Sequence, residues 1–362
     1  MKIVVFAGGT GRRLWPISRQ SSPKQFEPII KGKSTIQLVL DRLQKGFSSD
    51  DIFISTNRRY IAILKEQIAA LPPENFISEP ARRDLAAAVG LSVVNLAKRF
   101  DLSERLGIVW GDSYMSNGET FLDLLSSADK IIESSQANMV FIGETPRFAN
   151  NNLGWIGIGE EKGKQAGRSY FSYKSWIYRP DLERCKEMYE SGSFVWNTGY
   201  FVTTIGYIVD LYARYQPNLW AKLQILGNSI GSSSYNEKLK EIYPKLPVAS
   251  FDDAVVNKID PEEAVVLHGD TGWSDPGTLY ALKESINPDI SANVERGLVK
   301  SHKSTDCLLY NFQSEKLLAA VGLEGLIVVN TEDAILVVHK DQIGSVKELV
   351  DDLAGSELEK YT

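Results

Sequence analysis

An α/β fold built on a mostly parallel sheet is predicted by three features of the 362-residue sequence. Short apolar, β-branched runs recur through the first 145 residues, stretches with helical spacing separate them, and the first run leads directly into a glycine-rich loop. Buried parallel strands read as short continuous apolar runs, and their alternation with helices implies right-handed βαβ crossovers. The expected architecture is a Rossmann-like sheet covered by helices, with a small β-rich C-terminal domain.

The runs are IVVFA at 3–7, DIFIS at 51–55, GIVW at 107–110 and MVFIG at 139–143. Helical spacing joins Ile36, Val39, Leu40 and Leu43, then Ile61, Leu64 and Ile68, then Leu85, Ala88, Val89, Leu91, Val94 and Leu96, then Phe121, Leu124, Leu125, Ala128 and Ile131. Beyond about residue 145 the pattern loosens into turns, aromatic segments such as SYKSWIYRP and a helical stretch over 207–215, expected to add strands and a substrate-side lobe to the same sheet. After WSDPGTLYALKESINP come the strand-like runs CLLYN, LIVVN and AILVVH and an amphipathic helix near 345–353. The expected division is 1–287 and 288–362, in keeping with about 150 residues per domain as a loose prior. No hexapeptide period is visible in the second part, which argues against a left-handed β-helix there.

Bulk composition narrows the function classes. With 43% apolar and 24% charged residues the chain is of ordinary globular type. A net charge of −6 and a pI near 5.4 leave no overall basic field for a nucleic-acid backbone. Cys185 and Cys307 stand far apart, and His268, His302 and His339 are equally scattered, so neither a disulfide framework nor a zinc site is expected. The opening apolar run is too short for a signal peptide or membrane span, and a cytoplasmic location with no membrane partner is expected.

The segment AGGTGRRLWPISRQSSPKQF at 7–26 carries Arg12, Arg13, Arg19 and Lys24 and no acidic residue. Glycines after the first strand of such a sheet sit where open α/β folds bind ligands, and successive N–H groups there form an anion-binding nest. The dinucleotide fingerprint would need a glycine where Leu14 stands, and no Gly-Lys-Ser/Thr ending completes a P-loop. A polyanionic ligand is one counter-charge for four cations; acidic residues elsewhere in the chain are the other.

This segment resembles the signature of the sugar-phosphate nucleotidyltransferases, and its Leu-Trp-Pro and Pro-Lys-Gln-Phe elements resemble the mannose-1-phosphate guanylyltransferase branch. Further resemblances follow in order: EPARRDLAAAVG at 79–90, GDSYM at 111–115, GWIGIG at 154–159, FVWNTGYF at 194–201, SFDDAVVNK at 250–258, GWSDPGTL at 272–279 and VVNTEDAILVVHK at 328–340. The implied reaction is attack of a sugar 1-phosphate oxygen on the α-phosphorus of a nucleoside triphosphate, expelling pyrophosphate. A phosphate monoester with a second pKa near ~6 is already ionised at neutral pH, so positioning and charge neutralisation dominate and no histidine or cysteine nucleophile is needed.

The resemblance implies roles residue by residue. Gly8, Gly9 and Gly11 cradle the triphosphate, Arg13 neutralises the departing pyrophosphate, and Lys24 contacts the reacting phosphates. Arg12 is grouped with the nucleotide, although the family commonly has a small polar residue there. Asp112 and Asp275 are the implied Mg²⁺ ligands, hard oxygens of the kind that ion prefers; Asp112 is counted as catalytic with Arg13 and Lys24. Glu79, with Arg83 nearby, is assigned to the base, because a carboxylate accepts both the N1–H and N2 amino hydrogens of guanine; a helix-start charge is the alternative. Gly154, Arg179 and Asn197 are assigned to the sugar phosphate.

Departures from the family cluster around the sugar. The Glu-Lys-Pro element appears as Tyr178-Arg179-Pro180, Ser113 follows Asp112 where histidine is usual, and Asn257 stands where Glu is usual. The expected activity is GMP transfer from GTP to a sugar 1-phosphate, mannose 1-phosphate first. The alternatives are a heptose 1-phosphate substrate or a catalytically weak regulatory homologue that binds nucleotide sugar. The resemblance also suggests a homodimer through the C-terminal part.

Overall fold

A computed structural model describes residues 1–9, 14–19, 22–30, 32–275, 277–287 and 289–362. The chain forms two compact units that do not follow it linearly. One comprises Met1–Gly8, Arg42–Trp110 and Met115–Trp273; the other comprises Gly9–Asp41, Gly111–Tyr114 and Ser274–Thr362.

The first unit carries a nine-stranded sheet. Its early strands are β1 (Lys2–Phe6), β2 (Ile52–Asn57), β3 (Phe76–Glu79) and β4 (Arg105–Trp110). After the two-residue β5 (Tyr114–Met115) come β6 (Met139–Glu144), β7 (Gly154–Gln165), β8 (Arg168–Tyr178), β9 (Phe194–Thr204) and β10 (Ala264–Gly269). The order is β3-β2-β1-β4-β9-β6-β10-β8-β7, and only β8 and β9 run against the other strands. The expected mostly parallel sheet is therefore present, and the segments after residue 145 do extend it. β3 has no counterpart among the runs read from sequence, because NFISEP offers only four strand residues before a proline.

The helices follow their apolar spacing. Asp84–Ala97 is buried on nearly every side, which is why its sequence is alanine-rich rather than amphipathic. Gly90 within it permits close packing: a Cβ there would come within 2.3 Å of Leu223 Cδ1. Gly118–Glu133 buries Phe121, Leu124, Leu125, Ala128 and Ile131 along one stripe, and Asn117 caps it by accepting a hydrogen bond from the Thr120 N–H at 3.2 Å.

In the second unit, after the two-residue β11 (Trp273–Ser274), lie β12 (Val294–Arg296), β13 (Val299–His302), β14 (Leu308–Asn311), β15 (Leu318–Val321), β16 (Leu326–Asn330) and β17 (Ile335–His339). Parallel ladders join β12, β14 and β16, and a separate parallel ladder joins β13 to β15. These are stacked coils, and they correct the expectation that argued against a β-helix. The ladders step from Val294 to Leu308 to Ile327, and from Val299 to Leu318, so the coils are unequal in length and few. A hexapeptide rhythm has no room to repeat. Successive residues of β14 point into different cores: Leu308 and Tyr310 into one, Leu309 into another with Cys307, Ala320 and Val328.

The signature segment belongs to this unit's core. Leu14, Trp15 and Ile17 are buried with Leu279, Leu308, Ile327 and Val350. Leu14 stands where a dinucleotide fold has glycine because the position is packed, not exposed to a ligand.

Candidate active site

Gly8 and Gly9 follow β1, with open space around both and a positive φ of 112° at Gly9, a conformation that favours glycine. Gly11, Arg12 and Arg13 lie outside the described residues. Two of the four cations in the segment have partners within the second unit. Arg19 donates to Asp333 at 2.6 Å and to the Tyr361 carbonyl at 2.5 Å, and the Trp15 indole N–H donates to that carbonyl at 2.6 Å.

Lys24 is buried, and its ammonium lies 3.0 Å from Asp112 Oδ2 and 3.1 Å from Asp275 Oδ1. Burial opposes its charge, yet the two carboxylates outweigh that and raise its pKa above the ordinary lysine value. The fold thus brings Lys24, Asp112 and Asp275 together from segments about 90 and 160 residues apart in sequence. Two adjacent carboxylates beside a cation are a hard-oxygen donor set of the kind a divalent ion uses when it retains waters and phosphate oxygens. No group of three or more acidic, histidine or cysteine side chains suited to a metal occurs among the described residues.

Within the first unit, Glu79 ends β3 and accepts a hydrogen bond from the Tyr243 hydroxyl at 2.5 Å. Burial raises its carboxyl to about 7, against the lowering hydrogen bond from Tyr243; the charge of Asp84 adds to the rise. Arg83 donates to the neighbouring Pro244 carbonyl. One turn, at 243–244, therefore holds both residues assigned to the base.

Two of the sugar-assigned residues, Gly154 and Asn197, fall in one row of the same unit. Gly154 pairs with Tyr178 on β8 and with Asn197 on β9. A Cβ at Gly154 would sit 3.3 Å from Asn197 Cβ, so glycine keeps that side chain unobstructed. Asn197 accepts from the Gly199 N–H at 2.8 Å and lines a pocket with Trp110, Phe141, Trp176, Phe251 and Asp252. Gly199 has a φ of 77°, and a Cβ there would lie 2.1 Å from the Trp110 indole nitrogen. Arg179 is exposed, donates to the Asn152 carbonyl at 3.1 Å and covers the Tyr178 ring at 5.0 Å.

Sequence reasoning missed Tyr243, Trp176, Asp252 and Glu144. Glu144 is fully buried and accepts from the Thr271 N–H at 3.0 Å, the Thr271 hydroxyl at 2.6 Å and the Trp273 N–H at 3.2 Å, fixing the start of the GWSDPG segment. Asp252 and Trp176 carried a signal, since they lie in the quoted SFDDAVVNK and SYKSWIYRP.

Residues 2–292 match the family described as nucleotidyl transferase, and residues 302–353 match the mannose-P isomerase/GMP-like β-helix domain. Fold and site together define a nucleotidyltransferase enzyme, a class that typically uses a divalent cation. Mannose-1-phosphate guanylyltransferases of Klebsiella pneumoniae and Escherichia coli are each 30% identical to this chain over 99% of its length and 75% of theirs. A crystal structure from Thermus thermophilus, described as a mannose-1-phosphate geranyltransferase, superposes with a TM-score of 0.85 at 27% identity, covering 98% of this chain and 99% of that one. The chain belongs to the mannose-1-phosphate guanylyltransferase branch of the nucleotidyl transferase family. No helix among the described residues is long and apolar enough to cross a membrane.

Proposed function

We infer that this chain transfers GMP from GTP to mannose 1-phosphate. An oxygen of the sugar phosphate bonds to the α-phosphorus as the bond to the β-phosphate oxygen breaks, giving GDP-mannose and pyrophosphate. The observation that carries this reading is the Lys24–Asp112–Asp275 cluster, a buried cation held by two carboxylates and suited to phosphate chemistry rather than to nucleophilic or redox catalysis.

Asp112 and Asp275 would hold Mg²⁺, which neutralises phosphate charge when bound. Lys24 contacts the phosphates, with Gly8, Gly9, Gly11, Arg12 and Arg13 around the triphosphate and pyrophosphate. Glu79 reads guanine with Arg83 beside it, and Asn197, Gly154 and Arg179 receive the sugar phosphate. A cytoplasmic location and a homodimer complete the proposal, with a functional boundary near residue 288 supported by the two family segments at 2–292 and 302–353.

The test is pyrophosphate release over a grid of nucleoside triphosphates and sugar 1-phosphates with Mg²⁺, beside Asp112→Asn. GTP with mannose 1-phosphate is expected to turn over fastest. Tight nucleotide-sugar binding without turnover for any pair would overturn the enzyme reading in favour of a regulatory homologue.

A further inference from the structure

Three contacts strap the segment 243–249 to the loop 79–86. The Tyr243 hydroxyl donates to Glu79 Oε2 at 2.5 Å, Arg83 donates to the Pro244 carbonyl, and the Ala86 N–H donates to the Ala249 carbonyl at 3.0 Å. From the other side the Tyr212 hydroxyl donates to the Ala86 carbonyl at 2.5 Å. The strap is tied at its far end too: Ser250 caps the helix Phe251–Ala254, accepting from the Asp253 N–H at 3.0 Å and donating to the Asp253 carboxylate at 2.7 Å. The loop is thereby held at both ends of its length, and Glu79 is held by its side chain.

Tyr243 is fully buried and Glu79 half-buried. The hydroxyl occupies Oε2, and Oε1 has no partner among the described residues. An ionised carboxylate presents acceptors only, which match the N1–H and N2 amino hydrogens of guanine. A protonated carboxyl presents one donor and one acceptor, which match N1 and the N6 amino group of adenine. The same side chain therefore reads opposite bases in its two protonation states. Burial of Glu79 and the charge of Asp84, at the start of the helix Asp84–Ala97, favour the protonated form; the Tyr243 hydrogen bond opposes them. Burial and the Glu79 charge push the Tyr243 hydroxyl well above its ordinary range, so it stays a donor. The Arg83 guanidinium is engaged by the Pro244 carbonyl.

We propose that Tyr243 is a positioning residue for base choice: by donating to one oxygen of Glu79 it keeps that carboxylate an acceptor and so selects guanine over adenine. This inference rests on the guanylyltransferase reading and on the assignment of Glu79 to the base given above.

The test uses Tyr243→Phe, which keeps the packed ring and removes only the hydroxyl, beside wild type and Glu79→Gln. GTP and ATP are titrated calorimetrically with Mg²⁺ between pH 6 and 9, and the GTP KM is followed over the same range. Losing a hydrogen bond to the charged form should move the pH below which GTP binding weakens upward by about one to two units. At pH 7 the variant's GTP affinity should fall about tenfold and its preference for GTP over ATP by at least as much; at pH 9 both should return to within about threefold of wild type. A side chain needed only for packing would weaken GTP equally at every pH. Glu79→Gln, whose amide offers a donor and an acceptor, should shift preference toward ATP about ten- to a hundredfold at all pH values. A Tyr243→Phe profile that matches wild type, or one lowered uniformly across pH, would overturn the proposal while Glu79→Gln still loses selectivity. Unchanged selectivity in Glu79→Gln would overturn it through the base assignment instead. If wild type shows no turnover with any sugar 1-phosphate, the functional reading fails separately, and the binding titrations still decide this one.

Discussion

Lys24 and Asp252 are both ionisable groups drawn out of water, and the fold treats them in opposite ways. Lys24 has two carboxylates within 3.1 Å, and its charge is held by the chain itself. Burial pushes Asp252 up to about 6, helped by Asp253 and Asp84, and no cation or donor among the described residues offsets it. A matched cluster is stable before any ligand arrives, as suits groups that must hold highly charged phosphates in place. An unmatched one carries its desolvation cost without repayment from the chain.

That contrast breaks most sharply at Asp112. Asp112→Asn preserves shape but removes charge from the matched cluster, and kcat for pyrophosphate release should fall on the order of a thousandfold. Retention of more than about a tenth of turnover would remove Asp112 from the chemistry. The pocket half breaks at Gly199, where alanine would combine a left-handed backbone with a clash against Trp110. A loss of about 1–3 kcal/mol in urea unfolding is expected, and an unchanged midpoint would show that Trp110 can move aside.

Glu79 lies between the two extremes, with one donor and a carboxyl raised to about 7. The N1–H and N2 amino edge of guanine proposed to face Glu79 offers donors only, so the ionised form would bind it; that form predominates above pH 7 and is lost as pH falls below it. The GTP KM should therefore rise about tenfold as pH drops from 8 to 6, each unit below the pKa costing a factor near ten. Glu79→Gln should flatten this profile, and a slope that survives the substitution would assign it elsewhere. The smallest effect is expected at Arg19, whose charge is already taken by Asp333 and the Tyr361 carbonyl. Arg19→Ala should cost about 1 kcal/mol of stability, because Asp333 is substantially exposed, and leave kcat within a few-fold. A hundredfold loss of kcat would return Arg19 to the phosphates.

Much of this was legible in the sequence, and the illegible parts share a cause. The parallel strands and the helix stripe from Phe121 to Ile131 were readable because spacing within a single segment encodes them. The edge strand carrying Glu79 was too short to register. The coils after residue 290 were hidden because their ladders join residues 14 to 19 positions apart in unequal steps, such as Val294 with Leu308 and Leu308 with Ile327. Residue type alone placed Asp112 and Asp275 in motifs, but it was silent on Tyr243, whose importance lies only in what it touches.

The sequence by itself determined the family, the order of elements and the kinds of side chain the chemistry needs, since each is a local pattern of residue types. Only the tertiary structure decided which charges are matched. Arg19 and Lys24 look alike in a basic loop, and Asp252 and Asp253 look alike in one short motif. Partners distant in sequence, or the absence of any, distinguish them, because desolvation and Coulomb pairing depend on neighbours in space.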